Sequence, residues 1–110
     1  MESILTSIKK LLGIGEDYDH FDADIIMHIN GVFFILRRIG VGPEEGFFIK
    51  DNSTLWTDFF SEGEYEAIKT YVYMKVKLIF DPPLNASILE SMKQLVNEYE
   101  FSLGIEADSE

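Results

Sequence analysis

Asp22-Ala23-Asp24-Ile25-Ile26-Met27-His28-Ile29-Asn30-Gly31-Val32-Phe33-Phe34-Ile35-Leu36-Arg37-Arg38-Ile39 decides how the chain is read. Placed at about 100° per residue, Ile25, Ile29, Val32, Phe33, Leu36 and Ile39 form one stripe, the mark of a helix with one face on a core. Asp22 is expected to cap this helix by accepting its free amides, and Gly40 to end it. Two large residues break the pattern. Met27 and Phe34 fall together on the opposite side, near Asn30 and Arg38, one heptad apart on an otherwise polar face. Either another chain covers them, or the hairpin expected downstream or the first helix folds over them.

Working outward, Ile4, Leu5, Ile8, Leu11 and Leu12 recur at three- and four-residue spacing ahead of Gly13 and Gly15, which predicts a short amphipathic helix. Glu16-Asp17-Tyr18-Asp19 then serves as a connector. Beyond Ile39, the segment Gly40-Val41-Gly42-Pro43-Glu44-Glu45-Gly46 has too many breakers for regular structure. Phe47-Phe48-Ile49-Lys50 and Thr54-Leu55-Trp56-Thr57 are β-prone runs around Asp51-Asn52-Ser53, a turn former, and predict a short β-hairpin. Ser61-Glu62-Gly63-Glu64 matches a capping box for a third helix that Asp81-Pro82-Pro83 must stop. Asn85, or Ser87 with Glu90, opens a fourth. Its core face is Ile88, Met92, Leu95, Val96, Tyr99 and Leu103, and it ends near Gly104.

The fold expected is mainly α: a small bundle of about four helices with a short β-hairpin inserted between the second and third. Residues 1–104 make one domain and 105–110 a loose acidic tail. The 110 residues, 46% hydrophobic and 26% charged, suit a single folded domain. Nine Phe, five Tyr and one Trp supply large side chains for its core or for a partner.

Net charge is −11, spread as −2 over residues 1–40, −5 over 41–70 and −4 over 71–110. Such a surface repels phosphate backbones, so sequence-reading contacts to nucleic acid are not expected. With no cysteine there is neither disulfide nor thiol chemistry. The first residues lack a basic leader ahead of an apolar stretch and are not read as a signal peptide. Val32 to Leu36 and Tyr71 to Phe80 fall short of the ~20 apolar residues that cross a bilayer, so no membrane role is expected.

No catalytic, cofactor or metal set withstands inspection. His20, Asp24 and His28 share a helical spacing, but His20 precedes the expected cap and a fourth ligand is missing. Asp17-x-Asp19 with Asp22 and Asp24 lacks the glycine and the bidentate Glu of a calcium loop. Gly40-x-Gly42-x-x-x-Gly46 follows a helix and carries Glu44 and Glu45 where a pyrophosphate would sit. Two histidines and no nucleophile elbow support no triad, so the chain is read as a binding or assembly protein and not an enzyme.

Lys75 is the remaining anomaly. It lies at the centre of an apolar arc of Ile68, Tyr71, Val72, Leu78 and Ile79. A lysine there either snorkels to water near the helix end or meets a carboxylate of another subunit.

Three stretches carry a resemblance: Phe21-Asp22-x-Asp24-Ile25-Ile26-x-His28-Ile29-Asn30; Trp56-x-Asp58-Phe59; and Tyr71-Val72-Tyr73-x-Lys75-Val76-Lys77-Leu78-x-Phe80-Asp81-Pro82-Pro83. The chain resembles the head–tail connector proteins of long-tailed DNA phages and their prophages over essentially its whole length. The resemblance implies a head-completion adaptor, a ring of about a dozen copies beneath the portal that offers a platform for the stopper or tail-completion protein. It also implies assembly in the host cytoplasm, residence at the head–tail interface of the virion, and passage of DNA without specific binding. Partner contacts are expected at Met27, Phe34, Arg38 and Lys75. The C-terminal segment, with Gly104, Ile105 and Glu106, is expected to dock on the portal. A small acidic regulator or inhibitor that binds a host protein is the alternative.

Overall fold

The structure, a computed structural model, describes residues 2–108, and side chains through Ile105. Four helices account for most of it: α1 (Ile4–Leu11), α2 (Asp22–Arg38), α3 (Tyr65–Phe80) and α4 (Ala86–Asp108), with a short 3₁₀ turn at Trp56–Asp58. They form a slab 39 × 35 × 20 Å in extent. α3 is the middle helix and packs on both α2 and α4, while α1 lies against α2 and α3.

Local chemistry explains most boundaries. Ser3 Oγ accepts the Thr6 amide at 3.1 Å and starts α1. Asn85 Oδ1 accepts the amides of Ser87 and Ile88 at 2.9 and 3.0 Å and starts α4. Glu64 Oε1 accepts the Ser61 amide at 3.3 Å, and α3 begins one residue later. Asp81 and the two prolines end it. α2 closes through Gly40 at φ +90°, with the Val41 amide bonding the Leu36 carbonyl at 2.8 Å.

Asp22 does not cap α2. It is the first helical residue, Phe21 holds the cap position without a side-chain bond, and the Asp22 carboxylate faces Lys9 instead.

The expected hairpin is absent, and the described residues contain no β-strand. The Asp51–Ser53 turn does form, with the Ser53 amide on Asp51 Oδ1 at 2.9 Å. Its two flanks find other partners. Ile49 donates its amide to Asn30 Oδ1 at 2.8 Å and accepts from Asn30 Nδ2 at 2.9 Å, so one side-chain amide does the work of a neighbouring strand. On the other flank the Ile4 amide bonds the Thr54 carbonyl at 2.9 Å, and Leu55 makes an isolated antiparallel bridge to Ser3.

Burial decides the competition. Trp56 and Phe60 are buried beside Phe33, and Phe47 and Phe59 pack around it. A flat two-stranded ribbon would leave half of these rings in water. The preceding loop is shaped to let them in: Gly42 has φ +89°, and a Cβ there would lie 2.6 Å from the Phe47 ring.

The core therefore joins the inner stripe of α2 (Ile25, Ile29, Val32, Phe33, Leu36), Ile4, Leu5 and Ile8 of α1, and Ile68, Tyr71, Val72, Met74 and Val76 of α3 to Val41, Ile49, Trp56 and Phe60 of the irregular segment and Val96 and Leu103 of α4. Trp56 Nε1 donates to Ser7 Oγ at 2.8 Å, closing the irregular 41–60 segment over the polar side of α1.

Candidate assembly surface

With the inner stripe of α2 against α3, helical geometry turns Met27 and Phe34 outward, 62% and 56% exposed. Neither α1 nor the 47–50 segment covers them. The Asn30 clamp holds that segment beside α2 and leaves Phe48 exposed as well, 58%. Arg38 places its guanidinium 5.8 Å from the Phe34 ring, and Lys50 its ammonium 5.7 Å from the Phe48 ring. Each cation thus sits over an aromatic face, worth about 0.5–1 kcal/mol at an exposed site.

Lys75 has its carboxylate within the subunit. Its ammonium lies 3.5 Å from Glu100 Oε2 on α4, and the Tyr71 hydroxyl donates to the same oxygen at 2.6 Å. Burial, and then the Glu100 carboxylate, hold that hydroxyl well above the ordinary tyrosine range. A part-exposed ion pair at this distance contributes about 0–1 kcal/mol. The charge-assisted bond from Tyr71 contributes about 1.5–3 kcal/mol and is the stronger tie between α3 and α4.

The outer surface of α4 departs furthest from the sequence pattern. Val96 and Leu103 are buried, but Ile88 and Leu95, expected in the core, are 55% and 41% exposed. α4 has extensive contact with α3 alone, so a single neighbour covers only a narrow strip. Nor does the helix stop at Gly104: it continues to Asp108, which makes Gly104 and Ile105 helical residues and not the edge of a tail. Phe101 and Ile105 project outward, 71% and 51% exposed. Glu106 continues the helix, with its side chain outside the described residues. At the turn between α3 and α4, Ile79 and Leu84 are also exposed.

One buried charge was not foreseen. Lys9 is 3% exposed, donates to the Glu16 carbonyl at 3.0 Å and touches Asp22 Oδ1 at 2.8 Å, a charge contact outside hydrogen-bond alignment. It joins the end of α1 to the start of α2 across the acidic connector. Its sequence signal was that connector, whose carbonyls and carboxylates need a cation once α1 packs down. His20 lies before α2 and packs edge-on against Phe21, while His28 faces Phe80 from the helix. Among the described residues, no three His, Asp or Glu side chains converge as a metal site requires, and no helix is long and apolar enough to cross a membrane.

The surface that emerges carries large exposed apolar groups on two helices, flanked by charge. No curated protein and no solved structure matches the chain. The sequence profile described as "Phage connector protein" matches residues 4–110, and the four helices follow one another in the order that periodicity and capping predict. The chain belongs to the phage connector protein family, a structural and non-enzymatic one.

Proposed function

We propose that this chain is a non-enzymatic subunit of the head–tail connector, about a dozen copies of which close a ring beneath the portal after DNA packaging and join the head to the stopper or tail. The observation that carries this reading is the uncovered edge of α2, where Met27 and Phe34 stand exposed in a chain of the connector family. Apolar groups of this size on a helix otherwise well packed suit a repeated subunit contact. The end of α4, with Gly104, Ile105 and Glu106, is the segment offered to the portal, where Phe101 and Ile105 supply apolar area. A net charge of −11 lets duplex DNA pass without adhering. The subunit assembles in the host cytoplasm and remains in the virion at the head–tail junction.

The test mixes the purified subunit with its portal and reads ring formation by negative-stain microscopy and light scattering. Wild type adds a ring. The double variant Met27→Asp with Phe34→Asp, altered only at exposed positions, keeps its helical circular dichroism and adds none. Rings formed by the double variant would remove the α2 edge from the reading.

A further inference from the structure

The outer edge of α2 carries a second periodicity. Asp24, Met27, Gly31, Phe34 and Arg38 follow one another at steps of three, four, three and four residues, the spacing that keeps side chains on a seam between two helices. All five are exposed. Among the described residues, neither Asp24 nor Arg38 has an ion-pair partner within the subunit.

Gly31 supplies an independent observation. It lies in mid-helix, where glycine costs about 1 kcal/mol relative to alanine. A Cβ added there would meet nothing within 4 Å. Packing inside the subunit gives no reason for the missing methyl group. A second helix crossing close over the seam does.

Along the seam the order is acid, apolar, glycine, apolar, base, and it complements itself when reversed. Turned antiparallel about Gly31, Asp24 meets Arg38 of a second copy, Met27 meets Phe34, and glycine meets glycine. A parallel pairing would instead set Asp24 on Asp24 and Arg38 on Arg38, and would align the two helix dipoles unfavourably.

We propose that free subunits pair two-fold through α2, antiparallel about Gly31, and that this pair covers the edge that ring closure uses. The proposal rests on the connector reading only in assigning that edge to assembly. A two-fold contact is exhausted by two copies and cannot propagate round a ring, so the pair is a stored form that opens when a template competes for the edge. One crossing helix per subunit buries well under the roughly 1,600 Å² of a standard interface, so the association is weak and reversible, as storage demands.

The chain has no cysteine, so Gly31→Cys puts a single thiol per subunit on the proposed two-fold axis. Under mild oxidation this variant forms disulfide-linked dimers roughly tenfold faster than Leu84→Cys, a fully exposed position off the seam. In sedimentation equilibrium the wild-type mass rises with concentration from 12.6 kDa toward twice that value. Asp24→Arg and Arg38→Asp each weaken the association by about tenfold, and combining them in one chain restores it. Equal cross-linking of the two cysteine variants, or a double variant no stronger than its singles, overturns the pair. Rings that form on the portal while wild type stays monomeric at every concentration overturn the pair and leave the connector reading standing. A pair that forms while no ring does has the reverse effect.

Discussion

α2 and α4 are both long helices with apolar residues at helical spacing, yet they live in different surroundings. α2 is 17 residues long and buries five side chains, because α1, α3 and the 41–60 segment all close on it. α4 is 23 residues long, and of its described side chains only Val96 and Leu103 are buried. α4 is also somewhat less apolar, but the larger difference lies in the number of neighbours. An apolar stripe becomes core only where other elements arrive to cover it. Stability is therefore concentrated in α1, α2 and α3, and α4 leaves much of its apolar surface exposed.

Substitutions can break or sharpen this contrast. Phe33→Ala, at the centre of the aromatic cluster, should cost about 3–5 kcal/mol in urea unfolding; a cost below about 1 kcal/mol would mean the cluster is not the core. Val96→Ala on α4 should cost about 2 kcal/mol, and hydrogen exchange should show the loss as local opening of α4 while α2 amides stay protected.

Tyr71→Phe should cost about 1.5–2 kcal/mol by removing the donor to the Glu100 carboxylate. It also carries a pH signature. Because the Tyr71 hydroxyl is held above its ordinary value, the folded state keeps a proton that the unfolded chain loses above about pH 10. Its contribution is whole below that pH and declines as pH rises past it. The wild type should thus lose more stability than Tyr71→Phe between about pH 9 and 11. Parallel losses would show that the hydroxyl is not responsible. Smallest of all, Ile88→Ser on the open part of α4 should change stability by no more than about 0.5 kcal/mol, whereas a core residue at that position would cost several times more.

Much of this was legible in the residues. The inner stripe of α2, the proline stop after α3 and the Asn85 cap follow from periodicity and capping chemistry, which are local. The hairpin failed because Phe47, Trp56 and Phe60 had a better burial site against Phe33 than on a ribbon, and no local pattern reveals a side-chain amide such as Asn30 standing in for a strand. Ile88 and Leu95 misled for the same reason in reverse: periodicity reports an amphipathic face but not whether anything packs on it. On the candidate surface, Met27 and Phe34 were visible as breaks in the pattern, with Arg38 beside them. The partner of Lys75 was not, since Glu100 lies on another helix among many carboxylates. Buried Lys9 was missed because the segment that seals α1 has no regular structure to predict.

The Trp56 to Ser7 hydrogen bond spans 49 residues of sequence. During synthesis α1 is made early, yet its polar side stays uncovered until residues 54–60 have followed α2 out of the ribosome. Emergence of this second, aromatic segment is the step that lets α1 be sealed, ahead of α3, on which the inner stripe of α2 still has to pack. Emergence of residue 60 thus divides the life of the nascent chain into a stage in which the polar side of α1 is open and one in which it can be covered.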